Sequence, residues 1–339
     1  MPFQLVPQNT NFDFLGRRVL FNLGSVAMIL VGVVATLLNG GPDLGIDFEG
    51  GTEVQLVFEQ GVVVDESRLR EVTHGAGFLD ATVVRFGEAD SSEFLIKFKA
   101  DPGSLPAEGV QTKGLEANAR VQHLETQIRE SIGGFKEQRV EYVGAKVGAD
   151  LRRDGITAML LAWGAILLYV AFRFSSLYAP GAVIAIVHDV LVTAGLLVMF
   201  NIEFDLQILA AILAIIGYSL NDTIIIYDRI RENLALHSGE DLEKVLNLSV
   251  NQTLSRTLLT SGLTFLAVLS LLLLGGEVFR PFSLTMVIGI VVGSYSSIFI
   301  ASPILLFLEQ RFGSSKGKGA PTGRGAAGRP VGSPKRARA

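Results

Sequence analysis

The sequence predicts a polytopic α-helical membrane protein, with six transmembrane helices and a small α+β domain between the first and the second. Of its 339 residues, 49% are hydrophobic and only 18% are charged, which is too apolar for an ordinary soluble protein of this length. Crossing a bilayer takes about 20 residues with few charges. Six runs meet this condition, at residues 20–38, 156–172, 177–200, 206–227, 257–274 and 282–308.

The long segment between the first two helices, residues 39–154, alternates between strand and helix periodicity. Its order, βαββαβ, is that of a split βαβ or ferredoxin-like domain, in which two helices cover one face of a sheet. Asp65 is the predicted N-cap of the first helix. The strands are expected at 52–58, 80–87, 93–100 and 136–144, and the helices at 65–77 and 116–133.

The distribution of basic residues predicts the orientation, because cytoplasmic loops of membrane proteins are enriched in lysine and arginine. Basic residues flank the same ends of the helices, at Arg17, Arg18, Arg173, Arg229, Arg231 and Lys244. We therefore expect residues 1–19 and a disordered basic tail at 312–339 in the cytoplasm, and the 39–154 domain outside. Helices two to six fill 155–311, and an amphipathic segment at 238–254 is expected to lie on the inner membrane surface.

Soluble enzyme chemistry has little support in the sequence. The absence of cysteine excludes disulfides, thiolate metal sites and cysteine nucleophiles. No phosphate-binding loop, HExxH zinc motif or GxSxG elbow occurs. The acids at Asp43, Asp47, Glu49 and Glu53 follow no metal-ligand spacing. We therefore expect no enzyme activity, metal or cofactor, and an energy supply from the transmembrane potential.

Among the few ionisable residues in or beside the predicted spans, four are candidates for function, because a charge inside a span costs at least about 2.5 kcal/mol. They are the adjacent His188 and Asp189, then Asp222, and Arg256 at the start of the fifth helix. A carboxylate that alternates between contact with a guanidinium and an apolar surrounding acts as a proton carrier. We predict a proton pathway through these residues and Asn221. In the alternative, polar side chains such as Ser219, Thr223, Thr260 and Ser261 only join helices by hydrogen bonds.

The stretch GIDFEGGTEVQLVF, residues 45–58, connects the first helix to the first strand. Read as a strand throughout, it places its acids on one side and Phe48 on the other. The paired glycines allow a bend between helix and strand. We predict a mechanical joint formed by Gly45, Asp47, Phe48, Gly50, Gly51 and Thr52.

Four motifs together resemble the SecF family, the smaller membrane subunits of the bacterial SecDF export complex and relatives of proton-driven RND exporters. They are GIDFEGGT at 45–52, HD at 188–189, GYSLNDTIIIYDRIREN at 217–233 and NQTLSRTLLTS at 251–261. The resemblance covers about residues 1–311. It implies six helices with an outer ferredoxin-like domain, and proton transport through the positions of Asp222 and Arg256. His188 and Asp189 match a further family motif.

The resemblance also implies partners and a location. We expect SecD as a partner and the SecYEG channel beside it, with a functional link to the SecA motor and to translocating polypeptides. The chain should lie in the bacterial inner membrane, in contact with membrane lipids and not with nucleic acid. Two alternatives remain, namely a subunit of an RND-type small-molecule exporter and a non-catalytic scaffold of the translocon. The single small domain leaves little room for the porter funnel of such exporters.

Overall fold

The computed structural model describes residues 10–59, 62, 64–86, 92–99, 110–174 and 177–312. The predicted disordered tail therefore lies outside the described residues from 313 onward. The elements in chain order are α1 Arg18–Leu38, α2 Ile46–Glu49, β1 Gly51–Phe58, α3 Glu66–Gly75, β2 Thr82–Phe86, β3 Glu93–Lys99, α4 Val110–Ser131, β4 Phe135–Val143, α5 Ala145–Arg173, α6 Ala179–Met199, α7 Leu206–Leu236, α8 Leu242–Leu274, a 3₁₀ turn Glu277–Phe279, α9 Arg280–Ser296, a π-helical segment Ser297–Ala301 and α10 Ser302–Phe312.

Within these residues, six helices are long and apolar enough to cross a membrane, which confirms the predicted number. They are α1, α5, α6, α7, α8 and the continuous helix from α9 to α10. The apolar parts of α6, α7 and α9 to α10 are largely buried inside the chain. The apolar parts of α1, α5 and α8 are mostly exposed, so these helices present their surface to lipid or to another chain.

The predicted surface helix at 238–254 is wrong, because these residues form the beginning of α8, a continuous helix from Leu242 to Leu274. The apolar stripe that suggested contact with lipid is buried in protein: Val245, Leu246 and Val250 belong to the core of the bundle. They pack near the extension of α7 beyond the predicted membrane span, where the Asn233 side-chain amide donates to Ser249 Oγ at 2.9 Å. An amphipathic pattern shows that one face of a helix is apolar, but it does not tell whether lipid or protein covers that face.

The chain before α1 is fixed to this part of α8. Asn247 Oδ1 accepts from the Phe14 amide, and Asn251 Oδ1 accepts from the Phe12 amide, both at 2.9 Å. Arg18 forms an ion pair with Glu243 at 2.8 Å. The start of α1 is therefore tied to the end of the bundle that lies away from the sheet, which we call the terminal side.

The segment after α1 forms the expected small domain, with a four-stranded sheet in the order β2-β3-β1-β4 and every neighbouring pair antiparallel. This order agrees with the predicted split βαβ plan. One face of the sheet packs against α3 and α4 through a buried core: Val54, Leu56, Phe58, Leu69, Phe94, Ile96, Leu124 and Ile128. Asp65 stands at the N-cap of α3, as predicted, although its side chain makes no capping hydrogen bond there.

Two glycines allow α1 to cross α6 at close range. A Cβ atom added to Gly32 would lie 2.8 Å from the backbone of Gly195, a separation that real Cβ atoms do not reach. Gly24, also on α1, faces open space. Small residues at one crossing point allow two membrane helices to pack backbone against backbone.

We predict that Gly32→Ala destabilises the bundle by about 1–3 kcal/mol, because the added methyl group overpacks a rigid crossing. Gly24→Ala should be neutral or stabilise by up to about 1 kcal/mol, since alanine has the higher helix propensity. Thermal unfolding of the two variants in the same detergent measures the difference. Equal unfolding temperatures would show that the crossing is not tightly packed.

One carboxyl group of the sheet domain has an altered acidity. Burial, followed by interaction with the neighbouring Glu137 carboxylate, raises the pKa of Glu125 on α4 to about 7. The folded chain therefore binds this proton more tightly than the unfolded chain, whose glutamates titrate near 4.3. The resulting stabilisation is complete below about pH 4 and is lost as the pH rises through 7.

We predict that Glu125→Gln removes part of the pH dependence of stability. The variant should unfold at a higher temperature than the parent at pH 8–9, and the gap should narrow towards pH 5. Thermal unfolding of the full chain across this range tests the expectation. The exposed Glu130, changed to Gln, serves as the matched control. A constant difference between parent and Glu125→Gln at every pH would contradict the prediction.

Candidate functional site

Two buried carboxylates lie in the centre of the bundle, and the close packing of α7 on α9 determines their surroundings. A Cβ atom at Gly293 would lie 2.9 Å from Ser219 Cβ, and one at Gly289 would overlap the side chain of Ile215. These glycines, spaced four residues apart, therefore allow α9 to lie directly on α7. Hydroxyl groups of the two helices consequently reach one another, as in the hydrogen bond between Thr223 and Ser297 at 2.9 Å.

Asp189 on α6 is the first of these carboxylates, and side chains from three helices surround it. Its Oδ1 atom is hydrogen-bonded to His188 Nδ1 at 3.0 Å. Its Oδ2 atom accepts from Ser219 Oγ on α7 at 2.5 Å and from Ser296 Oγ on α9 at 2.9 Å. The side chain is 1% exposed, so these three partners replace the water that a carboxyl group needs. Asp189 therefore joins α6, α7 and α9 at one point.

His188 connects this point to α1. Its ring stacks on Tyr295 of α9, with the ring centroids 6.0 Å apart. The Tyr295 hydroxyl donates to the Phe21 carbonyl at 2.8 Å and is also hydrogen-bonded to Ser25 at 2.9 Å. His188 Nε2 is buried, with no hydrogen-bond partner among the described residues.

Asp222 on α7 is the second carboxylate, and only one of its oxygens is occupied. Oδ2 accepts from Ser261 Oγ on α8 at 2.9 Å, and Ser261 in turn accepts from Ser294 Oγ on α9 at 2.9 Å. Oδ1 is buried and has no partner in the part of the chain that the structure describes. The arrangement supplies one hydroxyl donor and leaves one oxygen available to a proton or a water molecule.

The predicted contact between Asp222 and Arg256 is not formed in this conformation. Arg256 is exposed on the outer surface of α8 and makes no ion pair among the described residues. It remains within electrostatic range of Asp222. Asn221 is also exposed, next to Gly217 and facing away from the bundle core. The structure thus brings His188 and Asp189 together and keeps Asp222, Arg256 and Asn221 apart from that pair.

The joint predicted between α1 and the sheet differs in form from the expectation. Residues 46–49 form the helical turn α2 and not a strand. The turn is followed by Gly50 at φ +83°, a conformation that favours glycine. A Cβ atom at Gly50 would lie 2.7 Å from the backbone of Ala145, so the turn packs tightly on the start of α5. Phe48 is buried, and β1 starts at Gly51 and continues through Thr52.

Asp47 connects the joint to the helix that carries Asp222. Its Oδ2 atom accepts a hydrogen bond at 3.0 Å from the amide of Leu206, the first residue of α7. The preceding loop is bound to the same segment, because the Gly45 amide donates to the Phe204 carbonyl at 2.8 Å. Lys99 of β3 pairs with Asp43 at 2.8 Å and with Glu49 at 3.1 Å. Sheet, joint and α7 therefore form one connected unit.

Known proteins of one family are similar to this chain over most of its length. A family described as protein export membrane protein SecD/SecF, C-terminal, matches residues 123–311, and one described as the SecD/SecF GG motif matches 36–62. The SecF subunit of Calditerrivibrio nitroreducens is 40% identical over 90% of this chain and 97% of its own length. That of Pseudomonas aeruginosa is 39% identical over 88% and 91%.

The chain belongs to the SecF family. The resemblance inferred from the motifs is thereby confirmed, and family membership places the chain among the membrane components of protein export. The crystal structure of SecDF from Thermus thermophilus, described as a translocon-associated membrane protein, superimposes with a TM-score of 0.75 at 33% identity. The match covers 91% of this chain and 40% of that one, so this SecF-family chain spans less than half of the fused protein.

Sequence reasoning did not find several of the contacts at these sites. Ser294 and Ser296 lie in the motif SYSS at 294–297, a run of hydroxyl side chains at the end of α9. This run was the sequence feature that could have indicated their hydrogen bonds. The hydrogen bond of Asp47 to the start of α7 had no local signal, because its partner lies 159 residues further along the chain.

We predict that Asp47→Ala loosens the start of α7 in this SecF-family chain. Loss of a carboxylate acceptor at a helix N-terminus typically costs about 0.5–2 kcal/mol. Hydrogen–deuterium exchange at the amide of Leu206 should therefore be several times faster in the variant, whereas the amide of Ile208, which Asp205 accepts from, should change less. Asp47→Asn keeps an acceptor atom and should have a smaller effect. Unchanged exchange in Asp47→Ala would mean that the bond contributes nothing to the joint.

Proposed function

We propose that this chain is the SecF subunit of a bacterial export complex, in which proton movement through Asp222 promotes the completion of polypeptide translocation. It would act with SecD beside the SecYEG channel, after the SecA motor has driven the polypeptide into the channel. The names of the relatives support the export role: they are SecF subunits and, in Brucella abortus, a fused SecDF protein that is 40% identical over 89% of this chain.

The observation that carries the mechanism is the incomplete coordination of Asp222. A buried carboxyl group with a free oxygen has room to gain and lose a proton, and an ionisable group inside a membrane span indicates function by default. Asp189, by contrast, already has three hydrogen-bond partners. We therefore assign proton transfer to Asp222 and the positioning of three helices to Asp189.

Arg256 supplies the second state in this proposal. It lies on the surface of α8 in this conformation and contacts Asp222 in the other, after movement of α8 against α7. Contact with a guanidinium favours the ionised carboxylate, and separation favours the protonated form. Each charge that crosses the membrane releases about 2.3 kcal/mol per 100 mV of potential, which is the energy available to the movement. His188 and Asn221 complete the proposed pathway.

The proposed location is the bacterial inner membrane, with both termini in the cytoplasm and the sheet domain outside. The basic residues Arg17, Arg18, Arg173, Arg229 and Arg231 support this orientation, because all belong to the terminal side of the bundle. The exposed faces of α1, α5 and α8 suit lipid and the SecD partner. The basic tail at 313–339 suits anionic lipid headgroups.

The proposal also gives the joint a role. Because Asp47 binds the first turn of α7, displacement of α7 during proton transfer moves the sheet domain directly. The energy source is the proton gradient, and no cofactor is involved in this scheme.

We predict that Asp222→Asn abolishes proton-driven export in cells while the complex with SecD still assembles. Asparagine keeps the shape and hydrogen bonding of the side chain but does not titrate at neutral pH. Export of a secreted reporter and recovery of the complex in mild detergent are the two measurements. Asp154→Asn, an exposed acid near the start of α5, is the control and should export normally.

Normal export by Asp222→Asn with an assembled complex would favour the scaffold alternative. Loss of drug resistance with normal secretion would favour the small-molecule exporter.

A further inference from the structure

The hydroxyl group of Tyr218 is a feature of the Asp222 region that the preceding account leaves unused. Tyr218 lies on α7, one turn before Asp222 on the side nearer the sheet domain. Its Oη atom is buried, with no hydrogen-bond partner among the described residues. The hydroxyls of two other tyrosines in the bundle are engaged, Tyr227 with the Ala301 carbonyl at 3.1 Å and Tyr295 with the Phe21 carbonyl at 2.8 Å. Packing of the ring alone therefore does not explain why a tyrosine, with its polar hydroxyl, is present at position 218.

Two unpartnered polar atoms occur on consecutive turns of the same helix face. Residues four apart on a helix lie one above the other, and side chains lean towards the helix N-terminus. The Asp222 carboxyl group therefore leans towards the turn that carries Tyr218, and by the same rule the Tyr218 ring leans towards the sheet-domain side. Among the described residues, Asp222 Oδ1 and Tyr218 Oη are both buried and have no partner, whereas Asp222 Oδ2 accepts from Ser261. A gap that water could bridge therefore separates the two atoms.

An apolar layer lies beyond Tyr218 on the sheet-domain side. Tyr218 packs against a cluster contributed by α7, α8, α9 and the residues next to them: Ala211, Ile215, Phe265, Val268, Phe282, Met286 and Ile290. Past this layer is a cavity of about 680 Å³ between the bundle and the open face of the sheet. Gln207 and Leu284 line its floor, and Glu53, Lys97 and Glu203 are among its polar walls.

These positions follow one another along α7. Gln207 lines the cavity, Ala211 and Ile215 belong to the apolar layer, and Tyr218 and Asp222 come next. At 1.5 Å per residue, Tyr218 lies about 16 Å from Gln207 along the helix axis. Tyr218 is thus the first hydroxyl that a proton from the cavity meets on this helix after the apolar layer, and Asp222 is the second protonatable group.

We propose that Tyr218 is a proton relay between the cavity on the sheet-domain side and Asp222. This role rests on the proposed function, which assigns proton transfer to Asp222. When water enters the apolar layer, a hydronium ion on the cavity side transfers a proton to the Tyr218 oxygen. The tyrosine O–H bond breaks at the same time, and its proton passes to Asp222 Oδ1 through water. The hydronium ion becomes water, tyrosine is regenerated neutral, and the carboxylate becomes a carboxylic acid.

Few charges act on this relay from the neighbouring helices. Asp222 on α7 and Arg256 on α8 are the ionisable groups of the site. On α6, Asp189 and His188 form a separate pair that is bonded to Ser219. α9 carries no ionisable side chain between Arg280 and Tyr295. Removal of the phenol oxygen should therefore interrupt the path without disturbing an ion pair.

The test uses proteoliposomes that contain the chain together with its SecD-family partner. Proton uptake after an imposed potential is followed with a pH-sensitive dye for the parent, Tyr218→Phe, Asp222→Asn and Tyr169→Phe. Phenylalanine preserves the ring and its packing, so Tyr218→Phe should assemble normally and lower the initial proton flux at least 10-fold. Tyr169→Phe removes an exposed hydroxyl from α5 and should leave the flux unchanged.

The outcomes separate the relay from the proposed function. A flux within twofold of the parent in Tyr218→Phe, with Asp222→Asn inactive, would overturn the relay and leave proton transfer by Asp222 intact. Parental flux in Asp222→Asn would overturn both.

A second measurement covers the case in which Tyr218→Phe does not assemble. 3,5-Difluorotyrosine at position 218 keeps both ring and hydroxyl but makes the phenol more acidic. A relay predicts that the pH profile of the flux moves to lower pH, and a purely structural hydroxyl predicts no movement. An unshifted profile would overturn the proposal.

Discussion

The close approach of α7 and α9 is the constraint on which the other interactions of the bundle depend. Gly289 and Gly293 leave no space between the two helices, and any side chain at Gly293 would meet Ser219. Because the helices touch, Ser219 and Ser296 reach the same oxygen of Asp189, and Ser294 reaches Ser261. Inside a bundle without bulk water, this contact provides the hydrogen bonds that make two buried carboxyl groups tolerable.

Asp189 and Asp222 have different numbers of hydrogen-bond partners in this bundle, and the difference separates their proposed roles. Asp189 has hydrogen-bond partners on both oxygens, so its environment resists change and holds α6, α7 and α9 together. Asp222 receives one donor from α8 and keeps one oxygen free. The apolar part of α8 is mostly exposed, so the donor to Asp222 comes from a helix at the edge of the bundle. A group that must change its proton and its partner is therefore found at the contact with an outer helix.

The joint between the first helix and the sheet shows how a local change reaches the outer domain. A flexible hinge would absorb the movement of α7, whereas a tightly packed joint transmits it. The contact of Gly50 with the backbone of Ala145, and the hydrogen bond from Leu206 to Asp47, make this joint stiff. The glycines therefore serve close packing on α5 more than freedom of rotation.

The sequence by itself determined the six helices, the strand order and the family, because hydrophobic length, periodicity and long motifs are local properties. It also identified Asp189 and Asp222, since charge inside an apolar span is visible without a structure. Only the tertiary structure decided that Ser261 and not Arg256 contacts Asp222, that α8 continues through the supposed surface helix, and that Asp47 accepts from the first amide of α7. These contacts join residues that are far apart in the sequence, and a local sequence pattern does not show which distant segments pack together.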